Sequence, residues 1–376
     1  MLTRFVRTVR SLILLRCVPA GLVGILILAA SPLWAQTFEP TLTVGAGIQG
    51  SYQHTDPTGS PSLDQFELDH LRLYFSGDIT KYISAMVNTD YSSSGDVMNV
   101  LDAVGEFHTS PKFNIWFGRF LPPSDRDNFT GPFYANMFSI YHDGIQDGYP
   151  FVYQGRDNGI AYWGDFKTSV AQVKFSAGAF DGGSAGGDGG DTDIIWATRL
   201  QLDFWDPENG YYLNSTYYGD KNLLAIAGAT EIQSGKTATT ADFLMERKVP
   251  TGGAFTIESE YSRYNRLGGY NGNYLRSEGG YGLASFLFPK EVGIGKVEAL
   301  GKFAEAEFTA GIGPAHTNPS YRQKTTDVEI GYIMKQFDAR LFAYGMNVSF
   351  NGVMKNYWDA GLGLQLQLSK QILGPK

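Results

Sequence analysis

The sequence predicts an all-β fold, a transmembrane antiparallel β-barrel of about 16 strands, with about 18 as the alternative. Segments of about ten residues alternate apolar with polar side chains, break at Gly, Asn, Asp or Pro, and resume almost to the carboxyl terminus. Successive strand side chains point to opposite faces, so one face of each segment suits lipid and the other suits water. Aromatic residues make up 14% of the chain, and 46 residues are glycine. A barrel uses aromatic residues in its interfacial girdles and glycines in its tight turns.

The amino-terminal segment, residues 1–35, has the pattern of a secretory signal peptide. Four arginines and no acidic residue precede an apolar run from Val18 to Ala30, and Ala35 offers a small residue at a cleavage point. A retained membrane anchor is the alternative, but the run is shorter than the roughly 20 residues that a spanning helix needs. Cys17 is the only cysteine and precedes the apolar run. The processed chain, residues 36–376, would therefore have no thiol for disulfides or metal ligation.

The processed chain is predicted to form a single domain. No Pro/Ser-rich linker or change of composition divides residues 36–376, and the alternation continues through the middle of the chain. Removing the four arginines takes the formal net charge from −8 to −12, which argues against nucleic acid as a partner. The five histidines are scattered, and no motif indicates a nucleophile elbow, a cofactor or a metal site. We therefore expect no enzymatic activity, with an outer-membrane hydrolase as a less favoured alternative.

The two faces of each strand follow from the parity of the residue numbers. Residues 194–205 show this clearly: one face carries Trp196, Thr198, Leu200, Leu202 and Phe204, and the other carries Ala197, Arg199, Gln201 and Asp203. Further along, Val297, Ala299 and Phe303 oppose Glu298 and Lys302. Glu305 and Glu307 then fall on the apolar parity, which predicts that this strand ends near Phe303 or contains a β-bulge. A soluble β-sandwich also alternates, but the apolar faces here carry few charges over many segments.

One connection is too long to be a turn. Residues 121–155 separate the strand that ends near Phe120 from the one that starts near Arg156, and loops beyond about 15 residues in a compact fold are usually functional. The loop contains the apolar runs Phe133-Tyr134 and Met137-Phe138-Ser139-Ile140-Tyr141, which an exposed flap would not need. We predict that it folds into the lumen and narrows it, with acid supplied by Asp125, Asp127, Asp143 and Asp147. A surface loop that caps the mouth or packs against a neighbouring subunit is the alternative.

Several short motifs are similar to those of a known family. The runs Gly118-Arg119-Phe120-Leu121-Pro122-Pro123 and Ala179-Phe180-Asp181-Gly182 resemble stretches of the phosphate-selective porin O and P family. Two pairs of motifs also resemble it: Ala197-Thr198-Arg199-Leu200 with Gly210-Tyr211-Tyr212, and Gly331-Tyr332-Ile333-Met334 with Asp338-Ala339-Arg340-Leu341. The resemblance covers roughly Phe66 onward. It implies a 16-stranded, trimeric outer-membrane channel with an inward-folded constriction loop, and selectivity for anions such as phosphate.

The charges of the predicted lumen do not suit phosphate. Phosphate capture requires clustered Arg or Lys at a constriction, because the anion must exchange its water for charge-assisted donors. By parity the lumen holds more acidic than basic side chains, which predicts a weakly cation-preferring or unselective pore. The residues expected at the constriction are Arg72, Arg199, Arg340, Lys174, Arg126, Asp125, Asp127, Asp102 and Glu106.

The sequence thus predicts a passive diffusion channel in the outer membrane for small hydrophilic solutes or ions. Its expected partners are outer-membrane lipid, those solutes and, as the resemblance implies, two further copies of the chain in a homotrimer. The alternative from another functional class is a structural or adhesive barrel whose lumen is plugged.

Overall fold

The computed structural model describes residues 38–92, 97–138, 142–145, 155–182, 193–268, 274–311, 319–352 and 354–373. The predicted signal peptide, residues 1–35, and Asp147 of the long loop lie outside these ranges, so both remain predictions from the sequence. Within the described part of the chain, no helix has the length and apolar character needed to cross a bilayer.

Sixteen antiparallel strands in the described ranges form one closed sheet, as predicted. Each strand pairs with its neighbours in the chain, and β1 pairs with β16 to complete the cylinder. The strands are β1 Leu42–Pro57, β2 Leu63–Thr80, β3 Ile83–Ser92, β4 Val97–Ser110, β5 Phe113–Phe120, β6 Asp157–Lys167, β7 Gln172–Phe180, β8 Ile195–Asp203, β9 Leu223–Gln233, β10 Lys236–Lys248, β11 Ala254–Asn265, β12 Tyr274–Val292, β13 Gly295–Gly311, β14 Tyr321–Lys335, β15 Ala339–Asn351 and β16 Tyr357–Leu373. Closure leaves no unpaired sheet edge, as a membrane-spanning sheet requires.

The strand faces follow the predicted parity. In β8, Arg199 and Gln201 are buried inside the barrel, whereas Trp196 and Leu200 are exposed on its outer surface. In β16, Gln365 is fully buried among side chains of the interior, and Leu362 is 59% exposed. The outer wall is therefore apolar and the inner wall polar, because a period of two sends alternate residues to the two sides.

The structure corrects the prediction for the strand that contains Glu305 and Glu307. β13 does not end near Phe303, since it continues to Gly311. It has no bulge there either, because its pairing with β14 runs in unbroken register from Lys296 to Phe308. Both glutamates therefore remain on the outer face, where they form ion pairs with Arg322 of β14.

The two ends of the barrel differ in their connections. Two-residue turns such as 81–82, 111–112 and 293–294 lie at the end where β1 starts and β16 finishes, which we call the turn end. The opposite end, the loop end, carries most of the longer connections. In bacterial outer-membrane barrels the short turns face the periplasm and the longer loops face outward.

In the part of the chain that the structure describes, two connections enter the lumen. The long loop, described over residues 121–138, 142–145 and 155–156, enters from the loop end and includes one helix, α1, Arg126–Tyr134. The inner segment, residues 204–222, connects β8 to β9 and enters from the turn end. The predicted inward-folded loop is thus present, and a second inward connection accompanies it.

Candidate functional site

Helix α1 is a short, capped helix held inside the barrel. Asp125 caps its amino terminus, because its side chain accepts a hydrogen bond of 2.8 Å from the backbone N–H of Asn128. Gly131 has a φ of +56° inside the helix, a left-handed conformation that costs glycine little, and Pro132 follows it. The chain therefore kinks at this point and turns Phe133 toward the wall of β1.

The wall binds the backbone of the long loop just after this kink. Gln49 donates to the carbonyl of Pro132 at 3.0 Å, and Gln365 donates to the carbonyl of Phe133 at 3.0 Å. Arg340 donates to the carbonyl of Ala135 at 2.7 Å. Buried carbonyls left unpaired would each cost about 1–3 kcal/mol, so these donors allow the loop to remain inside the barrel.

Two wall glycines provide space for aromatic side chains of the long loop. A Cβ atom on Gly47 would lie 2.7 Å from the ring of Phe133, and one on Gly363 would lie 2.7 Å from the ring of Phe138. Phe133 is fully buried, and burying a phenylalanine contributes about 1.5–3 kcal/mol. The glycines on the polar face of these strands therefore permit the close approach of the loop.

The four basic wall residues expected at the constriction all lie inside the barrel. Arg199 donates to the carbonyl of Ser124 at 2.9 Å, and Arg340 binds the loop as described above. Arg72 forms an ion pair with Asp90 at 3.1 Å and places its guanidinium 5.0 Å from the ring centre of Phe133. Lys174 lies farther from the loop, where it forms an ion pair with Asp165 and donates to the carbonyl of Glu208 in the inner segment. Three of the four thus support the long loop.

The acidic residues expected at the constriction are more dispersed. Asp127 of α1 accepts a hydrogen bond from Tyr281 of β12 at 2.9 Å, so it faces the far wall. Asp102 of β4 pairs with Arg156 at 3.4 Å, at the end of the long loop. Glu106 lies four residues nearer the turn end, where it accepts a hydrogen bond from Ser84. The long loop thus carries Asp127 to the wall of β12, Asp102 meets the end of the long loop, and Glu106 remains on the wall of β4.

The inner segment is the part of the site that sequence reasoning missed. Its backbone N–H groups at Leu213 and Ser215 donate to the carbonyls of Phe129 and Tyr134 in α1, at 3.4 Å and 3.1 Å. Arg126 of α1 donates back to the carbonyl of Asn214 at 2.9 Å. The long loop and the inner segment thus meet in the lumen and form one hydrogen-bonded unit.

A buried ion pair joins these two connections. Arg126 binds Glu208 through both of its terminal nitrogens, at 3.0 Å and 2.6 Å, and its Nε lies 3.5 Å from Asp242 of β10. Arg199 also binds Asp242, at 2.9 Å, and Tyr217 donates to Glu208 at 2.6 Å. Burial alone would raise the pKa of the Glu208 carboxyl, but the adjacent Arg126 holds that pKa below its ordinary value. The pair is therefore ionised, and two arginines share two carboxylates.

A cavity of about 370 Å³ lies beside this unit. Its lining combines wall residues with residues of both inward connections: Arg72, Tyr74, Asn88, Asp102, Thr130, Arg156, Tyr212 and Asn214. The residues Thr43, Ser76 and Ser369 at the turn end also border it. The free space therefore extends from these turn-end residues to α1, whose Thr130 and Tyr134 border it.

The interior of the barrel is strongly acidic. Within the described residues, eighteen aspartates and glutamates are buried against six arginines and lysines. The basic side chains are engaged with carboxylates or loop carbonyls, as Arg126, Arg199 and Arg340 illustrate. This arrangement has no cluster of unengaged basic groups of the kind that phosphate capture needs.

The docked conformation of the long loop should depend on pH through Asp127. Burial, the largest cause, raises the pKa of this carboxyl to about 6, and the neighbouring Asp143 adds to the shift while Lys302 opposes it. A released loop would have an ordinary aspartate pKa of about 4. The docked loop therefore holds the proton more tightly, so docking is most stable in acid and weakens as the pH rises from about 4 through about 6.

We expect the frequency of opening events in planar bilayers to rise about fiftyfold between pH 4 and pH 7, because the docked and released loops differ by about two pKa units and each unit corresponds to a factor of ten. The Asp127→Asn variant should flatten this profile, and Asp181→Asn, a change at an exposed position near the loop end, should leave it intact. A profile that is the same in wild type and Asp127→Asn would show that another group controls it.

Comparison with known proteins supports the fold. No protein-family model matches this chain, and no curated protein matches its sequence. Among solved structures, OprB of Pseudomonas putida superposes with a TM-score of 0.58 at 8% identity, over 88% of this chain and 94% of OprB. OmpF of Salmonella typhi, in complex with daunomycin, superposes with a TM-score of 0.54 at 11% identity, over 87% of this chain and 97% of OmpF. This chain therefore has the fold of outer-membrane β-barrels, and the narrower resemblance to phosphate-selective porins O and P has no support from these comparisons.

Proposed function

We propose that this chain is an outer-membrane porin, a passive diffusion channel for small hydrophilic solutes or ions. The observation that carries the proposal is the loop folded inside a closed barrel, because such a loop leaves the wall intact and reduces only the cross-section of the lumen. Wall charge and the remaining cross-section then decide which solutes pass quickly. The likeness to the outer-membrane barrels OprB and OmpF supports the location.

Three further parts of the proposal rest on the sequence. Residues 1–35 direct export and are removed, the processed chain assembles as a homotrimer, and the constriction comprises Arg72, Arg199, Arg340, Lys174, Arg126, Asp125, Asp127, Asp102 and Glu106. No cofactor and no catalytic step is needed for diffusion. Two measurements test the first two of these parts. Slow migration of the unheated protein on a gel indicates a trimer, and the mass of the heated, unfolded chain shows whether residues 1–35 have been removed.

We expect weak cation selectivity. The excess of buried carboxylates raises the local concentration of cations in the lumen, so reversal potentials in a KCl gradient should give a K⁺/Cl⁻ permeability ratio of about 2 to 5. Asp102→Asn combined with Asp359→Asn removes two buried carboxylates and should lower the ratio, whereas Glu291→Gln, at the exposed end of β12 beside the turn 293–294, should not. A strong preference for chloride in the wild-type protein would contradict this assignment and favour the anion channel that the family resemblance implies.

The second candidate function is a structural or adhesive barrel with a plugged lumen. The inner segment favours it, since its hydrogen bonds to α1 add a second connection inside the same barrel. Planar-bilayer recordings separate the two functions, because a plugged barrel gives no current steps at any salt concentration. Hydrolysis of lipid or peptide by the purified protein would instead support an enzyme.

A further inference from the structure

A band of charged side chains crosses the outer face of four neighbouring strands. It lies on the parity that elsewhere on these strands carries lipid-facing residues, and each side chain is partly or largely exposed. The members are Arg263 on β11, Arg276 and Glu278 on β12, Glu305 and Glu307 on β13, and Arg322 and Lys324 on β14. We call this set the outer charged band.

Strand register aligns the band in a continuous row. Arg263 lies opposite Glu278, Glu278 lies opposite Glu307, and Glu307 lies opposite Arg322. The row ends sharply on both sides, because Thr239 of β10 lies opposite Arg263 and Asn351 of β15 lies opposite Arg322. The charges therefore form a bounded patch that the adjacent strands β10 and β15 do not continue.

The height of the patch follows from the apolar residues beneath it. Toward the turn end, the outward apolar residues are Tyr261 on β11, Phe303 on β13 and, beyond Thr326, Val328 on β14, and these three apolar side chains are at least half exposed. The outward apolar band of such barrels is about 25 Å tall and is bordered by aromatic residues. The charged band thus begins where the apolar wall ends, on the side of the loop end, at the level of lipid headgroups.

The ion pairs within the outer charged band contribute too little stability to explain why these charges cluster on the outer face. Arg322 pairs with Glu307 at 3.0 Å and with Glu305 at 3.2 Å, and Lys324 pairs with Glu305 at 3.5 Å. Exposed pairs of this kind contribute about 0–1 kcal/mol. Glu278 and Glu307 also lie directly opposite each other, an arrangement of like charges that destabilises a sheet. A partner outside the barrel explains the clustering better than barrel stability does.

We infer that the outer charged band binds a phosphate-bearing headgroup of an outer-leaflet lipid. Four cations against three carboxylates leave a net positive patch, and three of the cations are arginines with 40–49% of each side chain exposed. Guanidinium groups match phosphate through two parallel hydrogen bonds. The carboxylates hold the guanidinium groups in place, and the lipid's acyl chains lie along Tyr261, Phe303 and Val328 below.

A second copy of the chain is the competing occupant of this face. Charged residues are depleted at the core of protein–protein interfaces, and seven of them lie together here. A headgroup carries the complementary charge at the required height, so lipid is the favoured occupant. The inference rests on the proposed outer-membrane location and adds a lipid site outside the lumen.

The test uses the folded full-length protein in detergent and two lipid probes. One probe is a bis-phosphorylated disaccharide glycolipid of the lipid A type, and the other is the same lipid without its phosphates. Native mass spectrometry measures the bound lipid. We expect the phosphorylated probe to bind at least about tenfold more tightly. The four-site variant, which combines Arg263→Ser, Arg276→Ser, Arg322→Ser and Lys324→Ser, should lose this preference. Glu307→Gln should tighten binding, because it removes a charge that repels phosphate. Arg247→Ser, at an exposed position near the turn end, is the matched control.

The outcomes are distinguishable. Equal binding of the two probes, or an unchanged preference in the four-site variant, would overturn the inference. A four-site variant that binds lipid normally but dissociates into monomers would assign this face to contacts between copies. Current steps in planar bilayers test the channel separately, so their absence from the wild-type protein would refute the proposed function and leave the lipid measurement standing.

Discussion

Deleting residues 124–150 should raise the single-channel conductance at least about twofold, because the deletion removes the helix and the aromatic side chains that narrow the lumen. The barrel can accommodate the deletion. Phe120 and Asp157 are paired neighbours at the ends of β5 and β6, so the remaining residues of the loop can join the two strands as a short connection. The donors Gln49, Gln365 and Arg340 would then face water in a wider pore.

The matched control shortens an exposed connection that does not enter the lumen. Deleting residues 59–61 between β1 and β2 should leave the conductance unchanged. Both deletions should retain the mobility of a folded barrel on unheated gels. A long-loop deletion that folds and conducts like the wild type would show that the loop does not limit the current.

The alternation of the strands could be predicted because it depends on a local rule. A strand residue faces either lipid or the lumen according to its parity, and Trp196 and Arg199 of β8 carry that information in their own chemistry. The long connection between Phe120 and Asp157 could also be recognised from the sequence, since a turn needs far fewer residues. These two features determine the closed barrel and its inward loop.

The inner segment could not be recognised in the same way. Its central run, residues 211–215, alternates in a strand-like manner: Tyr211, Leu213 and Ser215 are buried, and Tyr212 and Asn214 are less so. A segment that crosses a polar lumen also exposes its two faces to different surroundings, so parity cannot distinguish it from a wall strand. The only sequence signal is local, the turn-forming run Asp206-Pro207-Glu208-Asn209-Gly210.

The partners of the site residues depend on packing between distant parts of the chain. Arg126 meets Glu208 across 82 residues, and Arg340 meets Ala135 across 205. The sequence shows that these residues are charged and where their strands face, but it does not show which groups they contact. The expected basic side of the constriction therefore proves to be largely a set of anchors for the long loop. Glu305 and Glu307 illustrate the same limit, because the arginine and lysine that balance them are contributed by another strand.

Replacing Arg126 with alanine should separate the long loop from the inner segment. The change leaves the Glu208 and Asp242 carboxylates buried with one cation fewer, and breaking a buried pair by removing one partner costs about 3–5 kcal/mol. The strand pairing of the barrel does not involve Arg126, so we expect a folded barrel with frequent large current fluctuations. The inner segment should also become sensitive to protease added at the turn end.

The complementary variants test whether the Arg126–Glu208 ion pair, and not the size of the Arg126 side chain, holds the long loop to the inner segment. Glu208→Gln keeps the shape of the segment and leaves Arg126 with Asp242, so its effect should be smaller than that of Arg126→Ala, and a double-mutant cycle should show strong coupling. Lys248→Ala at an exposed position should change neither current noise nor protease sensitivity. The contrary result is an Arg126→Ala variant that matches the wild type in both current noise and protease resistance. The backbone hydrogen bonds of Leu213 and Ser215 to α1 would then suffice to hold the two connections together, and the ion pair would not be required.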